Sequence, residues 1–185
     1  MAARTGMAHL ITIVRDWANA GMADYDDDAI QNVLDRHRAD FRMQPLMARP
    51  YDVVNDTRYQ DYYYPQRYVE GTASGTVAWR VQDSTGAAID TADYTVNYNA
   101  QHIYFTDDQA GSARYLTGRA YDVHRATAEV WRMKAADAAE RFDVKTDNHD
   151  LKRSQLYDMY MKQAERFERQ APARIVTMVR SDANF

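Results

Sequence analysis

The 185-residue chain contains no cysteine. Disulfide staples, thiolate nucleophiles and zinc sites built on cysteine are therefore excluded. An excess of positive charge is also missing. The formal net charge is −4 and the sequence pI is about 5.7. This argues against a dedicated nucleic-acid binder, which usually carries a basic face, while leaving room for a local basic patch. No apolar run approaches a membrane span. The short stretch His9 to Val14, ahead of Ala18-Asn19-Ala20, is only loosely like a secretion signal. Arg15 and Asp16 interrupt it, and it reads as a helix in a protein that stays in the cytoplasm after synthesis. There is no internal repeat and no low-complexity segment.

Motifs of catalysis are equally scarce. The five histidines, His9, His37, His102, His124 and His149, form no metal-ligand spacing on a helix. His9 and His37 are expected as satisfied core or boundary groups, and His124 and His149 as solvated residues near helix ends. No nucleophile elbow and no phosphate loop occur. Gly71 to Gly75 leads into a strand and reads as a loop. Asp24, Asp26 and Asp28, with Asp35 at the twelfth position, have the ligand spacing of a calcium loop. Ala29 stands where that loop needs glycine, and the helical period begins at Ile30. An acidic helix N-terminus is the expected meaning. No catalytic, metal or cofactor residue is assigned, and no cofactor is expected.

The length suits one domain with a core that needs no staples. Met7, Leu10, Ile11, Val14, Trp17 and Ala18 share one helical face. Thr5 is the expected N-cap and Gly21 the residue after the C-cap. Met22 to Arg38 gives a second helix, capped by Asp26 or Asp27, with Ile30, Val33, Leu34 and His37 as its stripe. From Ala39 the helical period stops, and Pro45, Pro50 and Pro65 break up the next segment. Phe41–Leu46 and Tyr51–Val54 are short strand candidates, and Tyr59–Tyr64 is aromatic and β-prone.

Tyr68 to Tyr121 reads as β. Strands are expected at Thr76–Val81, Tyr94–Tyr98, around Ile103 and Phe105, and at Ala113–Tyr121, with Asn99 in the left-handed region of a turn. Fourteen tyrosines suit either half-wet interfaces or strands. Asp122 then caps a helix running to about Val144. Lys145 to Asp150 is a polar break. A second long helix ends before Pro172. Along it, Lys152, Arg153, Lys162, Arg166, Arg169 and Arg174 mix with Asp158, Glu165 and Glu168, as expected of a solvated, ion-paired face. The apolar tail Ile175 to Val179 has nothing left in the chain to pack on.

The expected architecture is α+β. It is a mainly helical bundle of about four helices, with an inserted antiparallel β meander and an extended C-terminal arm. The divisions are residues 1–58 (helix pair and extended linker), 59–121 (β subdomain), 122–171 (long helix pair) and 172–185 (arm).

Three stretches, in this order and spacing, carry a likeness. They are Leu10-Ile-Thr-Ile-Val-Arg-Asp-Trp through Asp27-Asp-Ala-Ile-Gln-Asn-Val-Leu-Asp; Asp93-Tyr-Thr-Val-Asn-Tyr-Asn-Ala-Gln-His-Ile-Tyr-Phe leading to Ala120-Tyr-Asp-Val; and the helix pair ending in Val179-Arg-Ser-Asp-Ala-Asn184. Together they resemble the head–tail adaptor (connector) proteins of tailed bacteriophages. The resemblance implies a structural virion protein with no active site. It implies a ring of twelve copies under the portal at the capsid vertex, extending the DNA channel without gripping DNA and docking the tail or its stopper. The location would be the virion neck, with assembly in the host cytoplasm. In that family the C-terminal segment reaches a neighbour or the portal. Ile175, Val176, Met178, Val179, Arg180, Ser181, Asp182, Asn184 and Phe185 are therefore the expected oligomer or portal interface. The β insert is larger than in the smallest members. The alternative reading is a non-enzymatic ligand- or glycan-binding module with Trp79, Tyr94 and Tyr98 as an aromatic platform; a small hydrolase with spatially assembled carboxylates ranks last.

Overall fold

A computed structural model describes residues 3–54, 56–74, 79–139, 144–146, 149–151 and 153–172. The first helix, α1 (Ala8–Ala18), follows a single 3-10 turn and buries Leu10, Ile11, Val14 and Ala18. No side chain caps its start, so Thr5 does not act as expected. It ends at Asn19 (φ 46°), not at Gly21. Asparagine tolerates the left-handed region, and it comes first. Helix α2 (Asp27–Arg36) starts later than its acidic approach suggests, because residues 22–25 form a turn. Asp26 caps it by accepting a 2.7 Å bond from the Ala29 amide.

The largest departure lies in residues 38–63, where only short strand candidates at Phe41–Leu46 and Tyr51–Val54 and a β-prone Tyr59–Tyr64 are expected. These residues form three consecutive strands, β1 (Arg38–Pro45), β2 (Met47–Val53) and β3 (Asp56–Tyr63). The prolines that spoke against strands sit where strands tolerate them: Pro45 ends β1, and Pro50 lies on the edge strand β2 at a break in register. The remaining main strands are β4 (Trp79–Gln82), β5 (Tyr94–Asn97), β6 (His102–Phe105) and β7 (Tyr115–Tyr121). They build two sheets, ordered β1-β7-β4 and β2-β3-β6-β5. All pairings are antiparallel. This is not a meander inserted at residue 59, since β1 and β2 precede that point and pair across it. In the β5–β6 turn Gln101 takes the positive φ of 60°, not Asn99.

Helix α3 (Val123–Ala139) begins under an Asp122 cap, whose carboxylate accepts from the Arg125 amide at 3.0 Å. From Val144, where the helix is expected to end, the chain forms the short antiparallel pair β8 (Val144–Thr146) and β9 (His149–Leu151). Helix α4 (Arg153–Gln170) returns along α3. Four helices do pack together, with α3 touching the other three. Strands nevertheless make up as much of the framework as helices, so the class is α+β rather than mainly helical.

Two cores result. One joins Leu10, Val14, Ile30 and Leu34 to Val123, Ala126 and Val130 between helices. The other joins Tyr62, Tyr64, Trp79, Val81, Ile103 and Leu116 between the sheets. A buried polar knot ties them together. Glu70 is fully buried. Its carboxylate accepts from Arg4 Nε at 2.8 Å and from the Tyr121 hydroxyl at 2.6 Å. Arg4 also grips Asp35 of α2 through two bonds, at 2.7 and 3.0 Å, and its amide donates to Gln31 at 2.7 Å. The bonds to Asp35 and Glu70 raise the Arg4 guanidinium further above its already high range against the opposing effect of burial. Alongside, the Gly71 amide donates to the Gly6 carbonyl at 2.9 Å. A Cβ on Gly71 would stand 3.3 Å from that carbonyl oxygen, so glycine permits the close approach.

Replacing Arg4 by alanine leaves Glu70 with Tyr121 and with Arg119, 3.5 Å away. The expected cost in urea denaturation is about 3 kcal/mol, as when a buried ion-pair network loses one partner. Arg166→Ala, on the exposed side of α4, is expected to stay within about 0.5 kcal/mol of the unmutated protein. Equal costs for the two would remove the knot from the account of stability.

Candidate functional site

The residues expected to bind a neighbour or the portal, Ile175, Val176, Met178, Val179, Arg180, Ser181, Asp182, Asn184 and Phe185, lie outside the described residues. The last described residue, Pro172, lines a cleft of about 580 Å³ where the helices meet the β layer. Three separate parts of the chain build its charged wall. The end of α2 and start of β1 bring Arg36, His37 and Arg38; the segment before residue 70 brings Arg67 and Tyr68; and the start of α3 brings Asp122, His124 and Arg125. In a chain of net charge −4, four arginines against one lining acid make this a concentrated basic spot.

Most of these side chains are held. Arg36 and His37 both bind Glu129, at 2.6 and 2.7 Å. Burial works to raise the Glu129 carboxyl, but its bonds to Arg36 and His37 outweigh this and keep it below the usual glutamate range. Arg38 pairs with Asp40 at 2.9 Å. Arg125 lies 3.4 Å from Asp122 and donates to the Pro172 carbonyl at 3.2 Å. Arg67 has no acidic partner among the described residues, and it lines both this cleft and a smaller neighbouring recess. Next to it, Tyr68 has a φ of 52°, a left-handed conformation that is strained for a bulky side chain. The Tyr68 carbonyl accepts from the Tyr121 amide at 3.0 Å, and its ring packs edge-on to Trp17 and His124. His124 is thus not solvated as expected; its Nδ1 is buried and has no hydrogen-bond partner.

The second distinctive surface is a ribbon. All seven residues of β2 are exposed. β3 pairs with β6 only from Asp61 to Tyr63, so its Asp56–Arg58 end is paired to β2 alone. Met47, Tyr51, Val53 and Val54 offer apolar surface there, with Val54 at the tip 92% exposed. Against known protein families, curated proteins and solved structures, the chain finds no match.

Other residues singled out in the sequence take structural roles. Trp79 and Tyr94 are buried in the β core, and the Tyr98 hydroxyl accepts from the Thr72 amide at 2.9 Å; no platform of these three rings faces solvent. Asp26 caps α2, Asp27 binds Arg15 at 2.6 Å and Asp35 binds Arg4, so the calcium spacing is broken up, and no cluster of three metal-ligating side chains occurs among the described residues. His102 sits between Asp61, 2.6 Å from Nδ1, and Arg49, 3.0 Å from Nε2. Arginine only donates, so Nε2 accepts and Nδ1 donates to Asp61. Both ring nitrogens are occupied, which leaves no free base. Lys134 donates to the carbonyls of Ala18 and Asn19 at 3.0 and 2.9 Å and closes the C-terminal end of α1.

The arginine cleft and the ribbon were missed in the sequence. Arg36 and Arg38 flanking His37 were visible, but their convergence with Arg67 and Arg125 depends on tertiary contacts. In the sequence the exposed Tyr51, Val53 and Val54 give no more than the pattern of a short strand.

His9, in the smaller recess, stacks on Tyr98 with ring centroids 5.3 Å apart. Burial pushes its imidazole below the ordinary value of 6.5, despite bonds to the backbone of Val69 and Gly6. The unfolded chain takes up this proton first. His9 therefore contributes stability that is full above about pH 6.5 and is lost as pH falls through the lowered folded-state value. Urea denaturation of the unmutated protein and of His9→Phe, between neutral and mildly acidic pH, is expected to show a shallower acid-side loss in the variant. Parallel curves would contradict the assignment.

Proposed function

We propose that this chain is a structural virion protein, a head–tail adaptor that forms a ring of twelve copies beneath the portal, extends the DNA channel and docks the tail or stopper. It has no catalytic role in this reading. The three stretches that resemble that family support it, and so does the acidic net charge, which suits a wall that must let DNA slide past.

The observation that carries the proposal is the β2–β3 ribbon. A two-stranded ribbon alone is marginal in water. An exposed edge bearing Met47, Tyr51 and Val53, with Val54 beyond it, is a surface that natural proteins cover or pair. Helix α4 exposes a second, unrelated patch at Leu156, Tyr157 and Met159. Two different apolar patches on one chain suit a heterologous, head-to-tail contact. Such contacts repeat around an axis and give a ring when the rotation closes. In this reading the ribbon reaches a neighbouring copy, and residues 175–185 reach the portal.

Negative-stain microscopy of the protein mixed with portal tests both contacts. The double variant Val53→Asp, Val54→Asp should keep the circular dichroism of the unmutated protein and form no rings. Removal of residues 175–185 should leave the fold intact and abolish portal attachment. Rings that persist in the double variant would refute the ribbon contact, and normal docking of the shortened chain would refute the tail's role.

A further inference from the structure

We infer that the arginine-lined cleft is a binding site for the phosphoryl group of a small ligand, with Arg67 as its principal contact. This does not rest on the ring proposal. The cleft volume of about 580 Å³ lies within the range of small-ligand sites. Its basic residues come from three distant parts of the chain, and intramolecular pairing does not account for all of them. Arg36, Arg38 and Arg125 each have an acid or a carbonyl that fixes their direction. A guanidinium has five N–H donors, so these arginines keep donors to spare. Arg67 has no such partner among the described residues, and its guanidinium is the uncompensated charge of the site.

Two further observations point to a ligand. Tyr68 is held at a φ of 52° between the bond to Tyr121 and the rings of Trp17 and His124. Backbone strain of this kind persists where the surroundings impose it, and it gathers at ligand clamps. Here it fixes the backbone next to Arg67. His124, on the cleft wall, has a buried Nδ1 with no hydrogen-bond partner, and unsatisfied buried groups in a folded protein call for a partner or a role. Arginine forks match phosphate oxygens in charge and geometry. The limited volume of the cleft and the acidic net charge of the chain favour a compact anion over a long polyanion such as duplex DNA.

Titration calorimetry of the full chain with pyrophosphate, AMP and adenosine tests the assignment. Pyrophosphate and AMP should both bind, and adenosine should not. Equal affinity for the first two identifies the phosphoryl group as the whole ligand; tighter binding of AMP places the nucleoside in the cleft as well. Arg67→Ala should weaken pyrophosphate binding by about tenfold or more, with an unchanged thermal midpoint in the absence of ligand, because Arg67 is exposed and has no acidic partner among the described residues. Arg58→Ala, on the exposed β2–β3 ribbon and not among the lining residues, should bind normally. Absence of pyrophosphate binding at millimolar concentration, binding unaffected by Arg67→Ala, adenosine binding as well as AMP, or duplex DNA binding without competition by pyrophosphate would each overturn the inference.

Discussion

Glu70 places a carboxylate where no solvent reaches it, and the two halves of the molecule meet on that charge. Arg4 comes from the N-terminal segment, Asp35 and Gln31 from α2, and Tyr121 and Arg119 from β7. A buried charge is costly unless it is paired and hydrogen-bonded. Each partner is therefore tied to the position of the others. The knot stabilises one relative placement of helices and sheets more than it adds raw stability, since an ion pair of this kind roughly balances its own desolvation. Burial and the bond to Glu70 also raise the Tyr121 hydroxyl above its ordinary range, against the opposing charge of Arg4, which keeps it a donor.

The surfaces follow from that placement. Tyr121 contributes its hydroxyl to the knot, its amide to the bond that holds Tyr68, and its side to the cleft wall. Strain at Tyr68, beside Arg67, and the capped start of α3 at Asp122 both lie at the end of β7. The Asp122 amide also donates to the His37 carbonyl at 3.0 Å, which brings the end of α2 to the same spot. The ribbon has the opposite character. It extends beyond the last pairing with β6 at Asp61, and no buried charge or core residue anchors its tip. The arginine cleft lies where the helices meet the β layer, and the exposed ribbon lies at a sheet edge, so the two distinctive surfaces are built in different ways.

Periodicity in the sequence located α1, α2, α4 and the strands at Tyr94, His102 and Tyr115, because each buries one face against a core. It also placed the caps at Asp26 and Asp122, where local hydrogen bonding decides. It gave less where long-range pairing decides. Only fragments of β1 and β2 show, at Phe41–Leu46 and Tyr51–Val54, because Pro45 and Pro50 interrupt them, and pairing with β7 and β3 completes the strands. Trp79 and Tyr94 looked like a surface platform because aromatic residues serve cores and binding faces alike. Arg4 and Glu70 drew no notice, since a single charge gives no sign in sequence that it will be buried beside its counterpart. Arg67 and His124 were unremarkable for the same reason.

The central claim is that the Glu70 knot makes the helical and β cores one cooperative unit. Native-state hydrogen exchange on the unmutated protein and on Glu70→Gln tests it directly. In the unmutated protein, the slowest amides of α1 and α2 and those of β6 and β7 should open with the same free energy. In the variant the two groups should separate, with one half opening while the other stays protected. Independent opening of the two halves in the unmutated protein, or a common opening energy that survives in Glu70→Gln, would contradict the account.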